Sequence, residues 1–255
     1  MEHLVSIVIP FYNRVDKVER AINSALNQTY INKEIILIND CSTQSIDKIQ
    51  NIVENNNIIS LYSNKKNQGA SYSRNKGIKQ SKGKFIAFLD SDDEWLSFKL
   101  EMQINFMINN KSKFTYTAYL RRVSENNKIK LISISSFQRY PLMGFHSNIA
   151  TPTVVIEKSI ASKKLFNTKF KYGEDIVYWW ELSKYSQLRG INIPTSIINV
   201  SDESSSNNIL NLSEGYANIN KTLFEKNFFI KYIHKIYYKI NLFLKRFIKI
   251  LQKKF

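Results

Sequence analysis

Three aspartates stand within four positions at Asp90, Ser91, Asp92 and Asp93, directly after the apolar run Phe85-Ile86-Ala87-Phe88-Leu89. Carboxylates this close repel one another and hold each other's pKa up, unless a cation lies between them. A hard divalent ion such as Mg2+ or Mn2+, shared with a substrate diphosphate, suits oxygen ligands of this kind. The same residues also suit an acidic turn capping a helix that begins near Leu96, because Asp and Ser favour that place. A continuous apolar run of strand length reads as a strand buried on both faces. Acids at its carboxyl end sit where open α/β sheets bind ligands.

The elements that must position these acids follow from periodicity. Leu4–Pro10 reads as a first buried strand, stopped by its proline. Val18, Ile22 and Leu26 give the next segment a helical stripe. Glu34–Asp40 is a second strand that again ends in an acid. Ile46, Ile49 and Val53 mark a second helix, Ile58–Tyr62 a third strand, and Gly69–Gln80 a helix leading into the aspartate-bearing strand. Alternation of this kind predicts a mostly parallel sheet with right-handed crossovers, so Asp40 and Asp90 fall on one carboxyl edge. Past Trp95, a helix is expected over Leu100–Ile108 and strands over Phe114–Val123, Lys128–Ser135 and Thr153–Ile156. An aromatic-rich helix over Glu174–Tyr185 and a strand over Ser196–Val200 follow, then a polar loop, Ser201–Asn208.

Composition narrows the class. The chain has 255 residues, enough for one large core or a main domain with an appendage, and its 43% hydrophobic content is ordinary. Its net charge of +16 is not, and implies an anionic partner: nucleotide, nucleic acid or membrane surface. The single cysteine, Cys41, permits no intramolecular disulfide, and a reducing cytosolic setting fits. His3, His146 and His234 are scattered, which disfavours a histidine metal site or a Ser-His-Asp triad. The N-terminal stretch has no signal-peptide pattern, and no apolar run reaches the roughly 18 residues that a spanning helix needs. The first strand-to-helix turn, Pro10-Phe11-Tyr12-Asn13-Arg14, has no glycine, which disfavours a Rossmann dehydrogenase or a P-loop enzyme.

The C-terminal segment has its own pattern. Phe229, Ile233, Ile236, Ile240, Phe243, Phe247 and Leu251 recur every three or four residues, flanked by lysines and one arginine, with no acid after Glu225. This predicts a basic amphipathic helix suited to an anionic lipid surface, although a helix docked on the domain with solvated lysines has the same pattern. Domain limits follow: residues 1–220 as one unit, which a change of pattern after Trp95 divides into 1–95 and 96–220, and 221–255 as the tail.

Four segments occur in a telling order: Val5–Asn13 (VSIVIPFYN), Ile38–Ser42 (INDCS), Asn67–Ala70 with Arg74–Gly77, and Phe88–Asp93 (FLDSDD). In these the chain resembles family 2 glycosyltransferases of the GT-A fold, over Leu4 to Trp95. Thr151-Pro152-Thr153 and Gly173-Glu174-Asp175 with Trp179 extend the likeness downstream. The resemblance implies inverting transfer of a hexose, glucose or galactose by family habit, from a UDP-sugar to a lipid-linked (undecaprenyl-diphosphate) sugar. The setting it implies is surface polysaccharide assembly, such as O-antigen or capsule, at the cytoplasmic face of a bacterial inner membrane.

By position, Asp40 is expected to bind uracil with Tyr12 and Pro10 against it, and Arg74 to touch phosphate. Asp90 would contact ribose or donor sugar, and Asp92, with Asp90, would hold Mn2+ or Mg2+. Asp93 and Trp95 would face donor sugar and acceptor. Asp175 would be the general base, beside Glu174 on the acceptor side. Other readings stand next to these. Asp40 suits a cap of the next helix, Glu174 and Asp175 suit ordinary first-turn acids, Tyr12 suits packing, and Arg74 suits a solvated helix charge. Cys41 stands where the family often has glycine. A nucleic-acid groove lined by basic and aromatic residues, or a non-catalytic transferase domain, are the alternative functions; no nucleic acid is expected as partner.

Overall fold

A computed structural model of the chain describes residues 3–123, 128–138, 149–200, 214–215, 217–219 and 221–222. The polar loop, the tail helix, His146 and His234 lie outside the described residues. Among the described residues no helix is long and apolar enough to cross a membrane.

The N-terminal half alternates strand and helix as its apolar runs dictate: β1 (Val5–Phe11), α1 (Val15–Leu26), β2 (Lys33–Asn39), α2 (Asp47–Glu54), β3 (Ile59–Ser63), α3 (Gly69–Gln80) and β4 (Phe85–Phe88). These strands pair in parallel in the order β3-β2-β1-β4. Odd-numbered residues of β1, from Val5 to Phe11, face a core shared with α1, α2 and the next helix, α4 (Lys99–Asn109). Val8 faces the opposite core with Ile86 and Phe88 of β4. The helix α3 lies so close to β1 that a Cβ at Gly77 would meet Val8 Cγ1 at 2.2 Å. Only glycine fits there.

Pro10 does not stop β1; it is paired within it, opposite Ile38 of β2. Val8 O accepts from Leu89 N, so even-numbered residues of β1 turn their backbone groups toward β4. Pro10 has no N–H to offer on that side, and pairing with β4 ends at Val8. Ladder pairing between these two strands ends there, at the carboxyl edge of the sheet.

Beyond β4 the sheet becomes mixed. β5 (Glu94–Trp95), β6 (Phe114–Val123), β7 (Ile129–Ile132), β8 (Phe137–Gln138), β9 (Val155–Glu157) and β10 (Leu188–Val200) complete it, with short α5 (Lys158–Ala161) and α6 (Glu174–Ser183). β9 runs antiparallel between β4 and β6, β10 pairs with β6 in parallel, and β5 closes the far edge against β10. The two-residue strands β5 and β8 are too short for any periodicity. β10 is longer than its apolar end, Ser196–Val200, because register shifts around Pro194 carry it through polar positions. α6 is anchored by its aromatics: Trp179 packs with Phe88, Phe114 and Phe166, and Tyr178 lies 3.9 Å from Phe166 between ring centroids.

Candidate active site

Three loops and one helix end meet at the carboxyl edge of β1, β2 and β4. The glycine-free turn after β1 places both Asn13 (φ 54°) and Arg14 (φ 57°) in the left-handed region. Asparagine tolerates that conformation and arginine does so at a cost, so the turn needs outside support. It comes from the loop after β2. Asn13 Oδ1 accepts from Thr43 N (2.8 Å) and Gln44 N (3.2 Å), Asn13 N donates to Ser42 Oγ (2.8 Å), and Arg14 N donates to Gln44 Oε1 (2.9 Å). Held this way, Tyr12 keeps a face in solvent at 43% exposure, which suits a stacking platform better than a packing residue.

Asp40 is buried, and both of its carboxylate oxygens accept hydrogen bonds. It accepts from Gly69 N (2.7 Å), Gln68 N (3.0 Å) and Asn64 Nδ2 (2.8 Å). The helix it caps is therefore α3, not the next helix in sequence. Cys41 adopts φ 63°, so the backbone keeps a glycine-like turn although the residue is not glycine.

The acid turn after β4 is closed by Asp93 N donating to Asp90 O (3.1 Å). It does not cap α4, which starts at Lys99, with no side-chain bond from its cap residue Phe98. Asp92 is about a third exposed and lies 3.5 Å from Arg14 Nη1. Burial, then the charge of Asp90, raises its pKa. Asp93 is buried, and burial with the neighbouring Asp90 and Asp92 lifts its carboxyl well above the usual range. Its Oδ1 accepts from Asn199 N (2.9 Å), while Asn199 Nδ2 donates to Asp92 O (2.7 Å). Asp93 thus ties the acid turn to β10, and at 4% exposure it has little surface to offer a sugar, which counts against the sugar-facing role. Trp95 also differs from its expected acceptor-facing place. It is 5% exposed, and its Nε1 donates to Pro152 O (2.7 Å). Asn199 was not visible as a site residue in the sequence, because it joins the turn from more than 100 positions away.

Arg74 joins the two halves. It is buried on α3 and bonds Asp90 Oδ1 through Nη2 (2.7 Å) and Glu174 Oε1 through Nη1 (3.1 Å). Its guanidinium lies 5.4 Å from the centroid of Phe166. The solvated-charge reading of Arg74 is excluded. Glu174 and Asp175 open α6 behind Gly173, whose φ of 76° suits glycine. A Cβ there would also meet Gly215 O at 2.8 Å. Burial, then the charge of Asp175, pushes Glu174 up to about 7, against the opposing pull of Arg74. Burial raises Asp175 as well, opposed by Arg74 and by the Ile176 N–H on Oδ1 (2.7 Å). The main cause is burial, and the repulsion expected from Glu174 is not the leading effect. Asp175 Oδ2 accepts from Thr151 Oγ1 (3.4 Å), which belongs to a 3-10 turn, Thr151–Thr153.

Among the described residues no group of three histidines, cysteines or acids is placed to hold a metal by itself. Asp90 and Asp92 are the acids closest to such a role, and each already pairs with an arginine, Arg74 at 2.7 Å and Arg14 at 3.5 Å. Asp90 raises the pKa of Asp92, and an ion held by one or two carboxylates plus substrate phosphates would relieve that crowding.

Residues 6–170 match the family described as Glycosyl transferase family 2. An uncharacterized glycosyltransferase of Rickettsia bellii is 36% identical over 89% of this chain, which spans 33% of that protein's length. The Escherichia coli UDP-Glc:alpha-D-GlcNAc-diphosphoundecaprenol beta-1,3-glucosyltransferase WfgD is 33% identical over 75% of this chain and 74% of its own. Among solved structures, S. aureus TarS in complex with UDP-GlcNAc superposes with a TM-score of 0.67 at 17% identity, over 87% of this chain and 70% of that one. This shows that the fold is shared. The chain belongs to glycosyl transferase family 2.

Proposed function

We propose that this chain transfers a hexose, with inversion, from a UDP-sugar to a lipid-linked saccharide during assembly of a bacterial surface polysaccharide. The observation that carries the reading is a charge network that joins two kinds of acid: the turn pair Asp90 and Asp92, and the half-buried pair Glu174 and Asp175, bridged by Arg74 from Asp90 to Glu174. Support for lipid-diphosphate saccharide as acceptor comes from the names of WfgD and of WfaP of E. coli, the latter 37% identical over 74% of this chain. TarS, crystallised with UDP and UDP-GlcNAc, supports a uridine nucleotide donor.

In this reading Asp175 takes the proton of the acceptor hydroxyl as its oxygen attacks the anomeric carbon. The bond to the diphosphate breaks on the opposite side, and UDP leaves with the electron pair. Asp175 suits this better than Glu174, whose carboxylate is held by Arg74 at 3.1 Å. Mn2+ or Mg2+ at Asp92 and Asp90, when bound, supplies positive charge to the departing diphosphate. Tyr12, Asp40 and Pro10 would form the uracil end of the donor cleft, with Asp90 at the ribose or donor sugar.

The test is to screen UDP-sugars against a synthetic lipid-diphosphate-linked GlcNAc, comparing variants at the helix start. Asp175→Asn is expected to lower kcat about 100-fold, with UDP-sugar binding retained. A wild-type rate in Asp175→Asn, with the loss appearing in Glu174→Gln, moves the base to Glu174. No product with any UDP-sugar rejects the function.

We further propose that residues 221–255 hold the chain on the cytoplasmic face of the inner membrane, as the one-sided lysines of the tail suggest. Deleting Lys226–Phe255 should abolish co-sedimentation with anionic liposomes at low salt, as raising the salt should in the full chain. Retention by the truncated chain, or salt-insensitive binding, speaks against this anchor. Tail-dependent binding to single-stranded nucleic acid in preference to liposomes favours the alternative partner.

A further inference from the structure

Lys99 has no part in the transfer just described, yet its surroundings point toward it. The residue is wholly buried at the start of α4. Its Nζ donates to Gln103 Oε1 and to Thr153 O (3.1 Å), and lies 5.0 Å from the centroid of the Trp95 ring. None of these is a carboxylate. An aliphatic side chain would fill the space without taking an amine out of water, so the amine is retained against a desolvation cost. Burial accordingly lowers its pKa well below the ordinary lysine range.

What the amine holds is the Thr151–Thr153 turn. Pro152 O accepts from Trp95 Nε1 (2.7 Å) and Ser196 Oγ (3.0 Å). Thr153 O accepts from Lys99 Nζ and from Gln103 Nε2 (3.1 Å). A carbonyl oxygen has two lone pairs, so both acceptors are saturated, and the turn cannot rotate without breaking buried bonds. A three-residue turn has no ladder of its own to do this. On its other side Thr151 Oγ1 donates to Asp175 Oδ2. Trp95 and Lys99 also follow the acid turn within a few residues, so the segment that carries the donor-side acids grips the segment that contacts the base.

We infer that Lys99, Gln103 and Trp95 are positioning residues, clamping the Thr151–Thr153 turn so that Thr151 holds the Asp175 carboxylate in its proton-accepting orientation. This rests on the proposal that Asp175 is the base. Lys99→Met in the full chain removes the donor and keeps the length of the side chain. It also leaves the buried Gln103 Oε1 without its donor, which lowers stability, while Thr153 O keeps its bond from Gln103 Nε2. The thermal midpoint should therefore fall, while kcat measured on the folded protein falls about 10-fold or more and KM for the UDP-sugar stays the same. Trp95→Phe and Thr151→Val should act in the same direction, and Thr151→Ser, which restores the hydroxyl, should recover the rate.

A packing role gives the same lower midpoint but wild-type kcat in the folded protein. If Lys99→Met does not fold, the Thr151→Val and Thr151→Ser pair decides. Wild-type kcat in Lys99→Met and Thr151→Val, beside a crippled Asp175→Asn, overturns the clamp and leaves the base in place. Wild-type kcat in Asp175→Asn overturns the base assignment, and the clamp's purpose with it.

Discussion

Asp92→Ala is expected to reduce sugar transfer by about 1,000-fold and to leave the fold intact. The fold should survive because the carboxylate contributes little to it. Its ion pair with Arg14, at 3.5 Å, joins side chains 46% and 31% exposed, where screening leaves such pairs almost worthless. The bond that matters to β10 runs from Asn199 Nδ2 to the backbone oxygen of Asp92, which alanine keeps. Removing the side chain also relieves its repulsion with Asp90. Catalysis should not survive. A divalent ion on the leaving diphosphate is worth several kcal/mol, and about 4 kcal/mol corresponds to roughly three decades in rate. The measurement is kcat/KM across a Mn2+ titration, with the unfolding midpoint of the variant alongside. Full activity in Asp92→Ala, or in the wild type under excess EDTA, removes the metal from the mechanism.

The parallel half of the sheet was legible because β1, β2 and β4 are continuous apolar runs, buried on both sides and long enough to read. Those same runs placed Asp40 and Asp90 on one edge. The helix α3 was legible only as a helix. Its buried face consists largely of Ser71, Ser73, Arg74, Asn75 and Gly77, so no apolar stripe marks it as inward-facing, and Arg74 suits a solvated charge as readily as a phosphate contact. Proximity in sequence misled at Trp95: standing next to the acids suggested a place facing the acceptor. Its partner, Pro152, lies 57 positions away and holds it in the core. Asn199 failed for the same reason, since no local pattern marks a residue whose bonds reach Asp92 and Asp93. The pair Glu174 and Asp175 was placed by resemblance alone. Periodicity could not tell first-turn acids from a base, and the distinction rests on Arg74 and Thr151, neither nearby in sequence.

Arg74→Met should lower the stability of the domain by about 3 kcal/mol at pH 8, because removing one partner of a buried pair leaves charge uncompensated. Arg74 is 6% exposed, and the loss falls on Asp90 and Glu174 together. The deficit should depend on pH in a stated direction. Glu174 has its pKa raised to about 7 in the folded chain, from an ordinary value of 4.5. Between those values the folded state binds more protons than the unfolded state, so this group's contribution to stability falls as pH rises through the window. Without Arg74, the pull that favours the ionised form is gone, and Glu174 stays protonated to still higher pH. At pH 5.5 the carboxyl is largely neutral in the folded state either way, so the missing cation matters less. The difference between wild type and Arg74→Met should therefore shrink from pH 8 to pH 5.5, as read from urea midpoints at constant m. A deficit under about 1 kcal/mol would place Arg74 among ordinary surface charges. An equal deficit at both pH values would mean that Glu174 is not the group Arg74 holds ionised, and that the bridge between the two acid pairs does not exist in solution.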